Sequence, residues 1–218
     1  MATSLTSVVR PKAGRLDDTL GLIVEVSKLL ERHGSPDNRA LIGGIAGEET
    51  GTIAFTSEFD TGEALGATID ELVADAEYVS WLTRASAENS PAILLSRSVA
   101  IEIPLGRSGS TARGTVLEAY VSRIVPGRLD AVMELTTAAF DFLESMGATN
   151  CRLMQLQNAG SLSETLVATW EFENMRAYGR AGDAFMTDPK GQAVTEMLTS
   201  ATNPITVVTS SVYRDAGI

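Results

Sequence analysis

The sequence predicts an α+β protein in which two tandem ferredoxin-like βαββαβ repeats close face to face within one chain. Three observations predict it. First, the chain writes Gly14-Arg15-Leu16-Asp17 and later Gly127-Arg128-Leu129-Asp130, an offset of 127 − 14 = 113 residues. The same offset carries Glu58-Phe59 onto Glu171-Phe172, Gly34 onto Gly147, Arg39 onto Arg152, Asp70 onto Asp183 and Pro91 onto Pro204. From Val8 and Val121 onward, roughly a quarter of the aligned residues are identical. Second, both halves read strand, helix, strand, strand, helix, strand by hydrophobic period. Third, such a unit folds as a four-stranded sheet with both helices on one face. The bare face is buried most economically against the other half's sheet, leaving a space between the two. The units are residues 1–105 and 115–218, joined by 106–114.

In the first half, Ser7 to Pro11 is a short apolar strand, and Asp17 opens a helix to about His33 with Leu16, Leu20, Ile23, Leu29 and Leu30 on one face. Asp17 and Asp18 suit the positive end of that helix, and Gly34 suits a left-handed exit. Arg39 to Ala46 and Thr52 to Asp60 form a hairpin around Gly47 to Gly51. Residues 62–88 are helical in two pieces, and Ala92 to Ile103 is the last strand. The connection Gly106 to Gly114 is rich in Gly and Ser and reads as flexible. It lacks the lysine and the following helix of a phosphate-binding loop. The second half repeats the plan: a strand Thr115 to Val125, a helix Arg128 to Met146, a hairpin Cys151 to Asn158 and Glu164 to Glu173, and a helix Met175 to Thr202. That helix is interrupted at Asp188-Pro189, where proline breaks the hydrogen-bond ladder. A strand Ile205 to Arg214 ends the unit, and Asp75-Ala76 occupies the equivalent break in the first half.

Composition narrows the partners. A net charge of −11 argues against nucleic acid and anionic membrane surfaces. There is no signal-like segment and no apolar run long enough to span a bilayer, so the cytoplasm is the expected location. One cysteine, Cys151, excludes an intrachain disulfide, and one histidine, His33, leaves no multi-histidine metal site or Ser-His-Asp triad. No metal and no cofactor are expected. A small molecule is the expected ligand, and a homodimer is left open.

The run Trp170-Glu171-Phe172-Glu173-Asn174-Met175-Arg176-Ala177-Tyr178, followed by Asp188-Pro189 and a strand-rich end, resembles the dimeric α/β-barrel superfamily. That group includes NIPSNAP-like proteins and small antibiotic-biosynthesis-type monooxygenases. The Glu-Phe closing the third strand, the broken second helix and the βαββαβ order carry the resemblance. It implies a barrel of two ferredoxin-like units around an apolar ligand site, here within one chain. The superfamily hosts monooxygenases, isomerases, dehydratases and heme proteins. Its heme-binding branches rely on a histidine, where the second half has Met146.

Candidate site residues follow from strand parity. Ile53, Phe55 and Phe59, with Leu166, Ala168, Trp170 and Phe172, suit the helix-covered side; Thr56, Glu58, Thr169 and Glu171 then face the barrel interior. With the first and third strands taken as parallel neighbours, Arg10 meets Glu58 and Arg123 meets Glu171. The expectation is a duplicated Arg–Glu pair, with Glu171 as base and Arg123 as orienter, or else a structural ion pair. The second half also adds Tyr120, Trp170, Tyr178, Gln155, Gln157 and Asn158 where the first has Ser7, Ser57, Leu65, Ile42, Gly44 and Ile45. That difference points to the more elaborate pocket lying in the second half, with Tyr120, Gln155, Gln157, Thr169, Arg10 and Glu58 as ligand contacts. The two functional readings are a cofactor-independent enzyme of monooxygenase, isomerase or lyase type, and a non-catalytic binding or assembly protein.

Overall fold

The computed structural model describes residues 2–106 and 109–218. The first half runs β1 (Thr3–Pro11), α1 (Leu16–Arg32), β2 (Asp37–Ile45), β3 (Ile53–Phe59), α2 (Gly62–Ala74), α3 (Ala76–Ala85) and β4 (Ala92–Glu102). The second runs β5 (Val116–Ile124), α4 (Leu129–Ser145), β6 (Thr149–Asn158), β7 (Leu166–Phe172), α5 (Met175–Thr187), α6 (Pro189–Thr199) and β8 (Ile205–Asp215). The strands close into a barrel in the order β1-β3-β2-β8-β5-β7-β6-β4. Two ferredoxin-like sheets, β4-β1-β3-β2 and β8-β5-β7-β6, are joined at the β2–β8 and β4–β6 seams. Helices cover the outside of each sheet.

Every strand pair is antiparallel, β1–β3 and β5–β7 included. This overturns the parallel pairing expected for the first and third strands. The α1 crossover returns the chain so that β2 runs with β1, and the β2–β3 hairpin then reverses it. β1 also begins earlier than its apolar pattern suggests: Thr3 and Ser4 are buried, because β1 is paired on both sides.

The helix boundaries have local causes. Gly34 and Gly147 take left-handed φ values of 105° and 93°, each one residue past the C-caps of α1 and α4, His33 and Met146, a conformation other residues resist. Asp75 and Asp188 stand between the two helices of each broken pair, in extended conformation. Asp75 Oδ1 accepts from Glu77 N at 2.7 Å and Asp188 Oδ1 from Lys190 N at 2.8 Å. Each aspartate thereby caps the start of the following helix.

Two apolar cores lie between sheet and helices, one per half. Phe140, Phe142 and Phe172 are almost wholly buried in the second, as are Ile53 and Phe59 in the first. Each such aromatic contributes on the order of 1.5–3 kcal/mol by leaving water. In the connection 106–114, expected to be flexible, residues 107 and 108 lie outside the described residues, and the later part is docked. Asn150 N donates to Ser110 O at 2.7 Å, and Arg113 pairs with Asp37. Gly114 is pressed so closely on the Phe172 backbone that a Cβ there would lie 2.2 Å from its carbonyl oxygen.

Candidate functional site

The antiparallel register separates the expected pairs. Ser4 faces Glu58 and Leu117 faces Glu171, so Arg10 and Arg123 lie at the opposite ends of their strands. Arg10 Nη2 instead donates to Glu48 O at 3.0 Å and Arg123 Nη2 to Ser161 O at 3.1 Å. Both arginines hold the hairpin turn of their own half, because 48 and 161 also differ by 113.

The charge pairs that do form cross between halves. Arg39 Nη1 donates to Glu171 at 2.6 Å and its Nε to Asp215 at 2.6 Å. At the equivalent place, Arg152 Nη1 donates to Glu58 at 2.5 Å and its Nε to Glu102 at 3.2 Å. Adding 113 to 39, 58 and 102 gives 152, 171 and 215, so the two clusters are copies with partners exchanged. Glu171 is 0% exposed and also accepts from Gly114 N at 2.7 Å and Asn150 Nδ2 at 2.8 Å. A carboxylate so buried and so fully bonded is compensated in place.

Strand parity holds as expected. Thr56, Glu58, Thr169 and Glu171 line the barrel interior, a space of about 230 Å³. The other parity packs under the helices, and there the larger apolar cavity opens. In the second half a cavity of about 310 Å³ lies between the sheet and α4, α5 and α6. The structure thus holds a second space, on the outer face of one sheet, besides the one expected between the two sheets. The sheet supplies Glu118, Tyr120, Ala168 and Trp170; the helices supply Phe140, Tyr178 and Phe185.

Glu118 is the one charged group in this lining. Its carboxylate accepts from Ser210 Oγ at 2.9 Å and from Trp170 Nε1 at 3.1 Å. Burial pushes the carboxyl up from its ordinary value, with the two hydrogen bonds pulling the other way. Burial, reinforced by the charge of Glu118, likewise raises the Tyr120 and Tyr178 phenols. Trp170 stands 6.5 Å from Tyr120 and 6.3 Å edge-on to Phe140, ring centre to ring centre. The site is an aromatic chamber with a single acid at its wall.

Comparison of the halves explains the space. The first half has a cavity of only about 140 Å³ at the equivalent position. There Tyr78 and Trp81 of α3 stack at 5.7 Å, and Trp81 Nε1 donates to Leu22 O at 2.9 Å. Their counterparts are Gly191 and Val194; likewise Phe55 becomes Ala168 and Ile69 becomes Gly182. At these four positions small residues replace large ones, and the chamber opens there, while Tyr120, Trp170 and Tyr178 stand on its walls where the first half has Ser7, Ser57 and Leu65.

Of the expected contacts, Tyr120 lines this chamber and Thr169 faces the barrel interior. Gln157 Nε2 donates to Gln155 Oε1 at 3.1 Å, and neither lines the chamber. Glu118 escaped the sequence reading, although the offset places it on Leu5 and parity places it beside Tyr120. A charge where the copy carries leucine, on the helix-facing parity, was the available signal. His33 sits at the end of α1, bonded to Asp75 at 2.9 Å and Glu71 at 3.1 Å. No histidine lines either cavity, so an imidazole-held heme does not fit them. Among the described residues no cluster of His, Cys, Asp and Glu could hold a metal ion, and no helix is long and apolar enough to cross a membrane.

A closed barrel of two ferredoxin-like sheets with helices outside is the dimeric α/β-barrel fold, here built by one polypeptide. Solved structures share it along nearly the whole chain. An anthrone oxidase-like protein matches with a TM-score of 0.57 and 14% identity, over 100% of this chain and 94% of that one. A protein of Lactobacillus acidophilus NCFM, provisionally assigned as a monooxygenase, gives 0.55 and 10% over 98% and 93%. A variant of the chlorite dismutase of Candidatus Nitrospira defluvii gives 0.53 and 10% over 97% and 90%. At such identities the likeness is one of fold. No protein-family model and no curated protein sequence matches the chain.

Proposed function

We propose that the helix-side chamber of the second half is the active site of a cofactor-independent enzyme of monooxygenase, isomerase or lyase type. Its substrate is a small, partly apolar organic molecule carrying an acidic proton. One observation carries this reading: Glu118, a carboxyl raised by burial, lines an otherwise uncharged chamber where the first half has Leu5. The three reaction types share a first step, removal of a proton from a carbon or oxygen activated by a carbonyl or ring. A carboxylate lifted toward working pH is a better base for that step than an ordinary one. Trp170 and Ser210 fix its two oxygens. Tyr120 and Tyr178 bond to no other described residue through their hydroxyls, which leaves them free to orient a substrate oxygen. The resulting anion is then consumed by dioxygen, by rearrangement or by loss of a leaving group.

In this reading Glu171 and Arg123 serve the fold, the first in the exchanged ion pairs and the second at the hairpin. The fold shared with an anthrone oxidase-like protein makes anthrone the first probe. Wild-type protein is expected to bind it and to consume dioxygen with it. Glu118→Gln is expected to bind within a few-fold but to turn over about 10²-fold or more slowly. Equal turnover by the two proteins removes Glu118 as the base. The second reading, a binder without turnover, is favoured by the same chamber and predicts binding by both proteins with no dioxygen uptake.

A further inference from the structure

The smaller cavity of the first half has its own polar equipment, opposite in sign to that of the second. Its walls are apolar, built from Ile23, Val26, Phe55, Leu72, Tyr78 and Trp81. At about 140 Å³ it has the capacity of a single ring, since an apolar cavity of about 150 Å³ holds benzene. Two further features stand apart from packing. Ser57 lines the cavity on the helix-facing parity of β3 and is 1% exposed, yet its hydroxyl has no hydrogen-bond partner. A buried, unpaired hydroxyl is costly and invites a ligand atom. Arg97, exposed like Leu82 and Leu94 of the same lining, stands at the rim. Its Nε donates to Ser7 Oγ at 3.1 Å, and no carboxylate pairs with it among the described residues. The other guanidinium donors are therefore available.

The positions make the contrast explicit. Adding 113 to 5, 7, 57 and 97 gives Glu118, Tyr120, Trp170 and Ser210. Where the second half has an anion, the first has leucine; where the first has a guanidinium, the second has a serine hydroxyl. Ser57 lies opposite Leu5 on β3 and Arg97 opposite Ser7 on β4, on either side of β1. Two strand spacings across and two residues along, together roughly 12 Å, therefore separate their backbones, a span that a ring with a group at each end covers with a hydrogen bond to each side chain.

We infer that the first-half cavity is a second small-molecule site, taking a compact aromatic or branched monocarboxylate with a hydroxyl or carbonyl at its far end. The carboxylate meets Arg97 at the rim, the ring fills the apolar chamber, and the distal oxygen pairs with Ser57. Arginine suits the head group because its planar donors match a carboxylate.

The test uses 4-hydroxybenzoate and benzoate as probes on the full chain, read by isothermal calorimetry. Wild-type protein is expected to bind both. Arg97→Gln, a change at an exposed side chain, is expected to weaken both at least tenfold. Ser57→Ala should weaken 4-hydroxybenzoate severalfold and leave benzoate unchanged, while Glu118→Gln should alter neither. The assignment is overturned by absence of binding, by binding that Arg97→Gln leaves intact, by binding that Glu118→Gln abolishes, or by a Ser57→Ala variant that treats the two acids alike.

Discussion

Arg39 and Glu171 are charged side chains 7% and 1% exposed, and their stability rests on each finding the other. Removing the arginine strands a carboxylate that has no path to water. Arg39→Met is expected to destabilise the protein by about 3–5 kcal/mol in chemical denaturation. Arg152→Met should cost less, since Arg152 and Glu58 are 16% and 26% exposed. His33 offers a pH-dependent counterpart at the surface. Its hydrogen bonds to Asp75 and then Glu71 raise its imidazole above the ordinary value. The stabilisation is therefore fully present below about pH 6.5, the unfolded value, and is lost as pH rises through the folded one. His33→Gln should show a flatter stability–pH profile across that window. As His33 is the single histidine, its imidazole resonance reports the folded pKa directly; an unraised value removes the effect.

At the scale of elements, the legible features were those with a strong local cause. Alternation assigned the faces of β3 and β7 correctly, because one face of each strand meets an apolar core. Asp188-Pro189 marked the break between α5 and α6, and the offset carried it to Asp75. Strand direction was less legible: it depends on connection geometry and leaves no trace in residue types, and the parallel assignment of β1 and β3 misplaced Arg10 and Arg123. Arg39 and Arg152 were visible as a repeated pair, but their partners lie in the other half, at a distance no periodicity reports. Glu118 was passed over because parity was applied to the third strand of each half and not to the first, where the hydrogen bond from Trp170 and the burial that mark Glu118 depend on packing. The glycines of α5 make a testable point. Gly182 lies inside the helix, where an added Cβ would meet nothing within 4 Å. Gly182→Ala should therefore raise stability by about 0.5–1 kcal/mol, measured by thermal or denaturant melts. A loss instead would mean that the chamber mouth needs the glycine.

On the scale of the whole molecule, the two seams and the exchanged ion pairs make each half the other's missing sheet. A fragment spanning 109–218 would expose the edges of β6 and β8, leave Arg152 without its carboxylates and leave Glu171 without its arginine. Two such fragments can supply one another, since Arg152 stands where Arg39 stands and Glu58 where Glu171 does. The fragment is expected to elute as a dimer in size-exclusion chromatography, and Arg152→Glu should leave it monomeric or aggregated. A stable wild-type fragment monomer would count against the seams as the source of cohesion.

The exchange of partners also bears on how such a chain can diverge. In a barrel made of two identical subunits, any substitution in one chamber is made in the other, so both must serve the same ligand. Joining the copies releases that symmetry requirement. Position 5 can remain leucine while position 118 becomes glutamate, and position 97 can remain arginine while 210 is serine. The shared ion pairs hold the copies alike where they touch, and the chambers, lying on the outer faces, are left to differ.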